Sequence, residues 1–286
     1  MKIGLQVPDF AWPSGSAALG ADLAAVARTA DEAGFEFLAV MDHFFQIGGV
    51  GPPEDPMLEA YTTLGYLAAH TSRVKLLTLV TGAVYRHPGI LAKQVTTLDV
   101  LSGGRAWLGI GAAWNQEESA GLGVPFPPVA ERLERLDETL QIVTRMFAGD
   151  TEPFTGRHYQ LARPLNSPAP LTRPRPPIMV GGGGEKKTLR LVAQHAHIWH
   201  SFSDTETYPR KSEILARHCA DVGRDPATIE RAAEAKGRTE DALLENAEAL
   251  ASLGITMLTV GVNGPDYDLS QAEALCRWRD RRAGTD

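Results

Sequence analysis

Short apolar runs and longer helical patterns alternate along this chain, and that alternation narrows the possible folds more than any other feature. Strands are expected at 3–7, 35–41, 74–81, 105–111, 178–180, 198–202, 229–234 and 255–262. Helical spacing of apolar residues falls between them, over 22–33, 58–70, 88–101, 129–147, 185–195, 209–222, 239–253 and 269–282. Strict β-α alternation implies a parallel sheet covered by helices. The strands read as near-continuous apolar runs, for example VKLLTLVT over 74–81, as strands buried on both faces should. Eight such repeats in 286 residues fit a closed (β/α)8 TIM barrel, with an open doubly wound sheet as the competing architecture. One texture break interrupts the pattern. Residues 149–177 are rich in proline and hold FTGRHYQL, read as an insertion around 150–176 that forms a small hairpin over one end of the domain. No boundary leaves two independent cores, so 1–286 reads as a single domain.

Composition excludes several classes. The formal charge is −7, the wrong sign for neutralising phosphates, so no nucleic acid is expected as a partner. No apolar run approaches the ~20 residues that span a bilayer, and the N-terminus reads as a strand rather than a signal peptide. No membrane association is expected. Two cysteines, Cys219 and Cys276, supply no disulfide framework and fit a cytoplasmic location.

In a barrel the chemistry belongs to the loops after the strands. The second strand ends in Met41-Asp42-His43, the fourth in Gly111-Ala112-Ala113-Trp114-Asn115, the fifth in Gly181-Gly182-Gly183-Gly184, the sixth in Trp199 to Ser203 and the eighth in Gly261-Val262-Asn263. Four consecutive glycines exceed what a tight turn needs. They allow backbone N–H groups to approach an anion, and the helix that follows adds its positive end. Lys186, Lys187 and Arg190 either extend that cradle or form a solvated helix face. His43 is suited to proton exchange near neutral pH or to a structural role. On a regular strand Asp42 would point the opposite way from His43. Glu117-Glu118 reads as a first-turn acid pair or a solvated loop. His195, His197 and His200 cluster in sequence but match no metal-ligand spacing, so no metal is expected.

Five segments in order resemble the luciferase-like monooxygenase superfamily, and within it the coenzyme F420-dependent oxidoreductase branch. They are MDHF (41–44), LVTGAVYRHPGILAKQVTTLDVLSGGR (79–105), GIGAAWNQEESAGLGVPFPP (109–128), ERLERLDETLQI (131–142) and PPIMVGGGGEKKTLRLVAQHA (176–196). The resemblance implies a deazaflavin, coenzyme F420, or alternatively FMN, lying across the C-terminal mouth. It implies a non-prolyl cis peptide around Leu79-Val80, flanked by Thr78 and Thr81, behind the ring. It places Gly181, Gly182, Gly183 and Gly184 at the cofactor phosphate, Asp42 near the ring, and Gly111, Ala113 and Asn115 in the loop that meets cofactor or substrate. His43 becomes the candidate catalytic residue. The implied activity is hydride transfer to or from a small organic substrate. The alternatives are a reduced-FMN-dependent monooxygenase and a non-catalytic cofactor-binding barrel. A homodimer is the implied assembly. The sugar-phosphate dehydrogenase members carry a glutamate in the fourth-strand loop and a tryptophan shortly after the Asp-His pair. This chain has Ala112-Ala113 and Gln46-Ile47 there, so glucose 6-phosphate is not an expected substrate.

Overall fold

The computed structural model describes residues 1–202, 204–262 and 267–284; Ser203 and Asn263, named above at strand ends, lie outside them. In chain order the first half runs β1 (Lys2–Val7), α1 (Leu19–Glu32), β2 (Phe37–Val40), α2 (Ala60–Ala69), β3 (Lys75–Thr78), β4 (Thr81–Gly82), α3 (Pro88–Leu101), β5 (Leu108–Gly111), α4 (Gln116–Leu122) and α5 (Val129–Phe147). A hairpin of β6 (Phe154–Thr155) and β7 (Gln160–Leu161) follows. Then come β8 (Ile178–Gly181), α6 (Thr188–His195), β9 (Ile198–His200), α7 (Tyr208–Asp221), β10 (Glu230–Glu234), α8 (Glu240–Ser252), β11 (Met257–Gly261) and α9 (Ser270–Ala283).

The main sheet runs β3-β2-β1-β11-β10-β9-β8-β5-β4, and every pairing in it is parallel. Its two ends are two pieces of one stave. β3 and β4 are separated only by Leu79 and Val80, joined by a cis peptide. β4 pairs with β5 through Thr81 and Ile110. β3 reaches the same neighbour through the Leu76–Ala106 bridge, where Leu76 N donates to Arg105 O at 2.8 Å and Trp107 N to Leu76 O at 3.0 Å. The ring therefore closes on eight staves, the expected (β/α)8 barrel.

The expected unbroken strand 74–81 is thus split, and the neighbouring stave is cut to fit the break. A Cβ on Gly109 would lie 2.0 Å from the carbonyl oxygen of Thr78, a backbone atom that cannot swing aside. The Thr78 hydroxyl donates to Gly109 O at 3.0 Å and meets the Thr81 hydroxyl at 2.6 Å, bracing both sides of the break.

Side chains alternate across each stave. Those facing outward, such as Ile3, Leu5, Leu38 and Val180, pack under the helices. Those facing inward, including Phe37, Leu77, Trp107, Met179 and Met257, fill the barrel as a separate small core. The interior is a packed plug on which the mouth is built.

The insertion forms the expected hairpin. Glu138 of α5 accepts from the backbone N–H groups of Arg157 at 2.7 Å, His158 at 3.0 Å and Tyr159 at 3.0 Å. The hairpin lies along the flank of α5, with Tyr159 edge-on to His87 at the start of α3. Glu138→Ala is expected to cost about 1–3 kcal/mol locally, because these donors lose one shared charged acceptor. Hydrogen exchange should accelerate over residues 154–161 and stay unchanged in β1 to β5. Uniform acceleration across the barrel would show that the hairpin is not a separate unit.

Candidate functional site

β2 ends at Val40, so Met41, Asp42 and His43 leave the regular strand. The alternation that would set Asp42 and His43 on opposite faces no longer applies. Both line a cavity of about 1050 Å³ at the C-terminal mouth of the barrel. Leu79, Val80, Gly111, Ala113, Gly181 and Gly182 line it as well. The other sequence candidates stand outside its wall. Thr78 and Thr81 are buried in the brace already described, with Tyr61 OH 2.8 Å from the Thr81 hydroxyl. Asn115 caps α4, its Oδ1 accepting from Glu117 N at 3.1 Å. Gly183 and Gly184 continue the glycine run outward toward α6.

Asp42 is buried with one oxygen engaged and one not. Oδ2 accepts from Arg86 Nη1 at 2.6 Å and from Gly82 N at 3.3 Å. Oδ1 is buried without a hydrogen-bond partner. Burial pushes the Asp42 carboxyl above its ordinary value, against the opposing pull of Arg86. The second arm of Arg86 reaches Glu59 at 2.6 Å, and its guanidinium lies over the Tyr61 ring.

His43 is held by Glu118, which lies in the first turn of α4, the first of the two expectations for it. Glu118 is completely buried. Its Oε1 lies 2.6 Å from His43 Nδ1 and accepts from Tyr85 OH at 2.6 Å. Its Oε2 accepts from the amides of Phe44 at 2.6 Å and Phe45 at 3.3 Å. Glu117 beside it is exposed. Burial raises the Glu118 carboxyl, but the bonds from His43, Tyr85 and Phe44 outweigh it and hold the group below its ordinary 4.5. A lowered folded value contributes stability above pH 4.5 that is lost as pH falls through it. Glu118→Gln should therefore be less stable than the parent by about 1–3 kcal/mol at pH 7. That gap should narrow below about pH 4.5 in denaturant titrations. A gap constant from neutral to acid pH would mean the carboxylate charge is not what holds the loop.

The glycine run is supported from behind. Trp199 Nε1 donates to Gly182 O at 2.8 Å, and Gly182 N donates to His200 O at 3.0 Å. Gly182 has φ +127°, which L side chains rarely adopt, and a Cβ on Gly181 would sit 3.0 Å from Val80. A Cβ on Gly183 would lie 2.7 Å from Lys211 Nζ, so the cation at this run comes from α7. Lys186, Lys187 and Arg190 are exposed, and the last two act on Asp137 and Glu134 of α5, Arg190 on the former and Lys187 on the latter.

Three non-glycine residues among those described have positive φ: Ala113 (61°), Phe202 (50°) and Tyr267 (49°). All three line the cavity. Left-handed backbone outside glycine costs energy and gathers where a site dictates the geometry. Trp114 is 61% exposed at the rim and sits edge-on to His43, with ring centroids 5.5 Å apart.

The three clustered histidines diverge. His195 faces Asp137 at 3.7 Å, and His197 Nδ1 accepts from Ile178 N at 3.0 Å. His200 is buried inside the barrel, its Nε2 3.3 Å from the Thr259 hydroxyl, with burial pushing its pKa down to about 3.

The arrangement offers a flat wall of glycines and Val80, an anion-accepting run at one end, an unpaired carboxylate oxygen, and an oriented imidazole. Residues 1–279 match the family described as luciferase-like monooxygenase. An F420-dependent glucose-6-phosphate dehydrogenase of Microbacterium testaceum is 32% identical over 188 residues, 64% of this chain and 53% of that protein. Among solved structures, the coenzyme F420-dependent tetrahydromethanopterin reductase of Methanopyrus kandleri superposes with TM-score 0.78 at 16% identity, over 96% of this chain and 97% of that one. EDTA monooxygenase of Chelativorans superposes with TM-score 0.79 at 14% identity, over 98% and 94%. Identities this low make both a likeness of fold.

Proposed function

The chain belongs to the luciferase-like monooxygenase family, and from that premise we propose that it is a coenzyme F420-dependent oxidoreductase moving a hydride to or from a small organic substrate. The observation that carries the reading is the side-chain-free wall formed by Gly111, Gly181 and Gly182 around Val80, ending in a glycine run with Lys211 beside it. A flat tricyclic ring with a phosphate-bearing tail fits those two features together. The unpartnered Asp42 Oδ1 fits a ring N–H.

Bound there, a deazaflavin supplies a carbon that takes or gives a hydride. The protein's part is placement. Leu79 and Val80 back the ring, and the glycine run with Lys211 holds the phosphate. His43 holds or releases a proton at Nε2. Glu118 fixes the other ring nitrogen, so Nε2 is the one free to do so. The relative of Microbacterium testaceum, named as F420-dependent, supports this choice of cofactor.

Reduced FMN with O₂ is the second reading, in keeping with the family's description as a monooxygenase. The two separate by oxygen uptake. With reduced FMN and candidate substrates, this protein is expected to consume no O₂ above the rate of free reduced flavin. Substrate-dependent uptake coupled to product would replace the hydride-transfer reading with oxygen insertion.

A further inference from the structure

The cavity wall has two halves of opposite character. The adjacent staves β4, β5 and β8 contribute glycines and Val80. The adjacent staves β10, β11, β1 and β2 contribute Glu234, Tyr267, Asp9 and Asp42 in that order around the ring. With Asp42 paired to Arg86 and given to the proposed ring, two carboxylates, Asp9 and Glu234, face the space left opposite the glycine wall. Among the described residues no lysine or arginine lines the cavity, and residues 263–266, Asn-Gly-Pro-Asp, add none in sequence.

The nearby cations do not cancel this. Arg86 stands behind Asp42 with both arms engaged and its side chain only 9% exposed. Lys236 meets Glu234 at 3.2 Å but is 71% exposed, so water and salt screen it. Lys211 lies at Gly183 and does not line the cavity. Asp9 is held in place by Ala11 N at 2.8 Å and Tyr267 OH at 2.9 Å, both donors. Oriented this way, Asp9 and Glu234 accept hydrogen bonds and repel anions.

We infer that the substrate is a non-anionic organic molecule with hydrogen-bond donors, an alcohol or an amine, and that phosphorylated and carboxylated compounds are rejected. The inference rests on the proposed seating of the ring against the glycine wall, which leaves the acidic half to the substrate. It departs from what the name of the Microbacterium testaceum relative states for that protein, a phosphorylated sugar. The apolar remainder of the wall, with Met41, Ile47, Val50, Trp114 and Phe202, suits the body of such a molecule.

A matched pair of dyes tests the charge rule without cofactor or substrate, in saturating inorganic phosphate that occupies the proposed anion cradle at the glycine run. N-phenyl-1-naphthylamine and 8-anilinonaphthalene-1-sulfonate share one skeleton and differ by a sulfonate. Fluorescence titration of the full chain is expected to show the neutral dye binding at least about tenfold tighter. Glu234→Gln and Asp9→Asn should each narrow that ratio. If Asp9→Asn fails to fold, Glu234→Gln, whose side chain is 40% exposed, still decides the point. Equal or tighter binding of the sulfonate, no binding of the neutral dye, or a ratio unmoved by both variants would overturn the inference. Turnover of glucose 6-phosphate by F420-loaded protein would overturn it too. Failure to bind F420 would count instead against the cofactor reading and leave the dye result legible.

Discussion

Replacing Arg86 by methionine should cost about 3–5 kcal/mol, because it leaves the Asp42 carboxylate buried and uncompensated. For a domain of this size that corresponds to a fall of about 10 °C in Tm. The change removes 2.6 Å contacts to both Asp42 and Glu59. Most of the loss should sit on Asp42, whose side chain is 1% exposed against 40% for Glu59. Burial already raises the Asp42 carboxyl, and removing Arg86 takes away the main opposing pull. A raised folded value means stability that is present at low pH and lost as pH rises through it. The variant should therefore regain stability on acidification. Asp42→Asn in the same background should recover about half the loss, since a neutral amide costs less to bury than an ion. A double variant no more stable than Arg86→Met would show that the arginine acts through Tyr61 and Glu59 instead.

Gly183→Ala should weaken cofactor binding by about 10–100-fold while leaving the apo protein within about 1 kcal/mol of the parent. Gly183 has no positive φ, and its new methyl meets only the flexible end of Lys211. The fold can absorb the change by moving that ammonium. The cradle cannot, because the methyl occupies space where backbone N–H groups approach the anion and displaces the cation beside it. Charge-assisted hydrogen bonds are worth about 1.5–3 kcal/mol each, so the loss of one accounts for the expected factor. Apo denaturation and cofactor titration on the same preparation separate the two effects. Undiminished affinity would place the phosphate elsewhere.

The barrel was legible because its determinants are local. Apolar runs of three to eight residues between amphipathic helices report β-α alternation directly, and the run at 181–184 reports a backbone approach. The break at Leu79–Val80 was carried by resemblance only, since VKLLTLVT has the propensity of an unbroken strand. Its partner signal, Gly109, is informative only once β5 is known to lie beside β3. Glu118 was hidden for a related reason. An acid in the first turn of a short helix reads as a partner of the helix dipole, and nothing near it in sequence says that α4 presses it onto His43 and the Phe44 amide. Lys211 lies beyond the lysines that adjoin the glycines in sequence, and tertiary packing alone brings it there. The acidic half of the cavity was the least legible feature. Asp9, Asp42 and Glu234 are spread over more than two hundred residues and become neighbours only through the ring order of the staves.

Equilibrium binding of coenzyme F420 and FMN, side by side and in both redox states, tests the central claim most directly. The glycine wall, the phosphate run and the unpartnered Asp42 oxygen predict tight binding of the deazaflavin. They also predict that Gly183→Ala weakens it, and the F420-dependent name of the Microbacterium testaceum relative is the ground for expecting FMN to bind more weakly in either state. Tighter binding of reduced FMN than of F420 would contradict the account and move the chemistry of this cavity from hydride transfer to oxygen insertion.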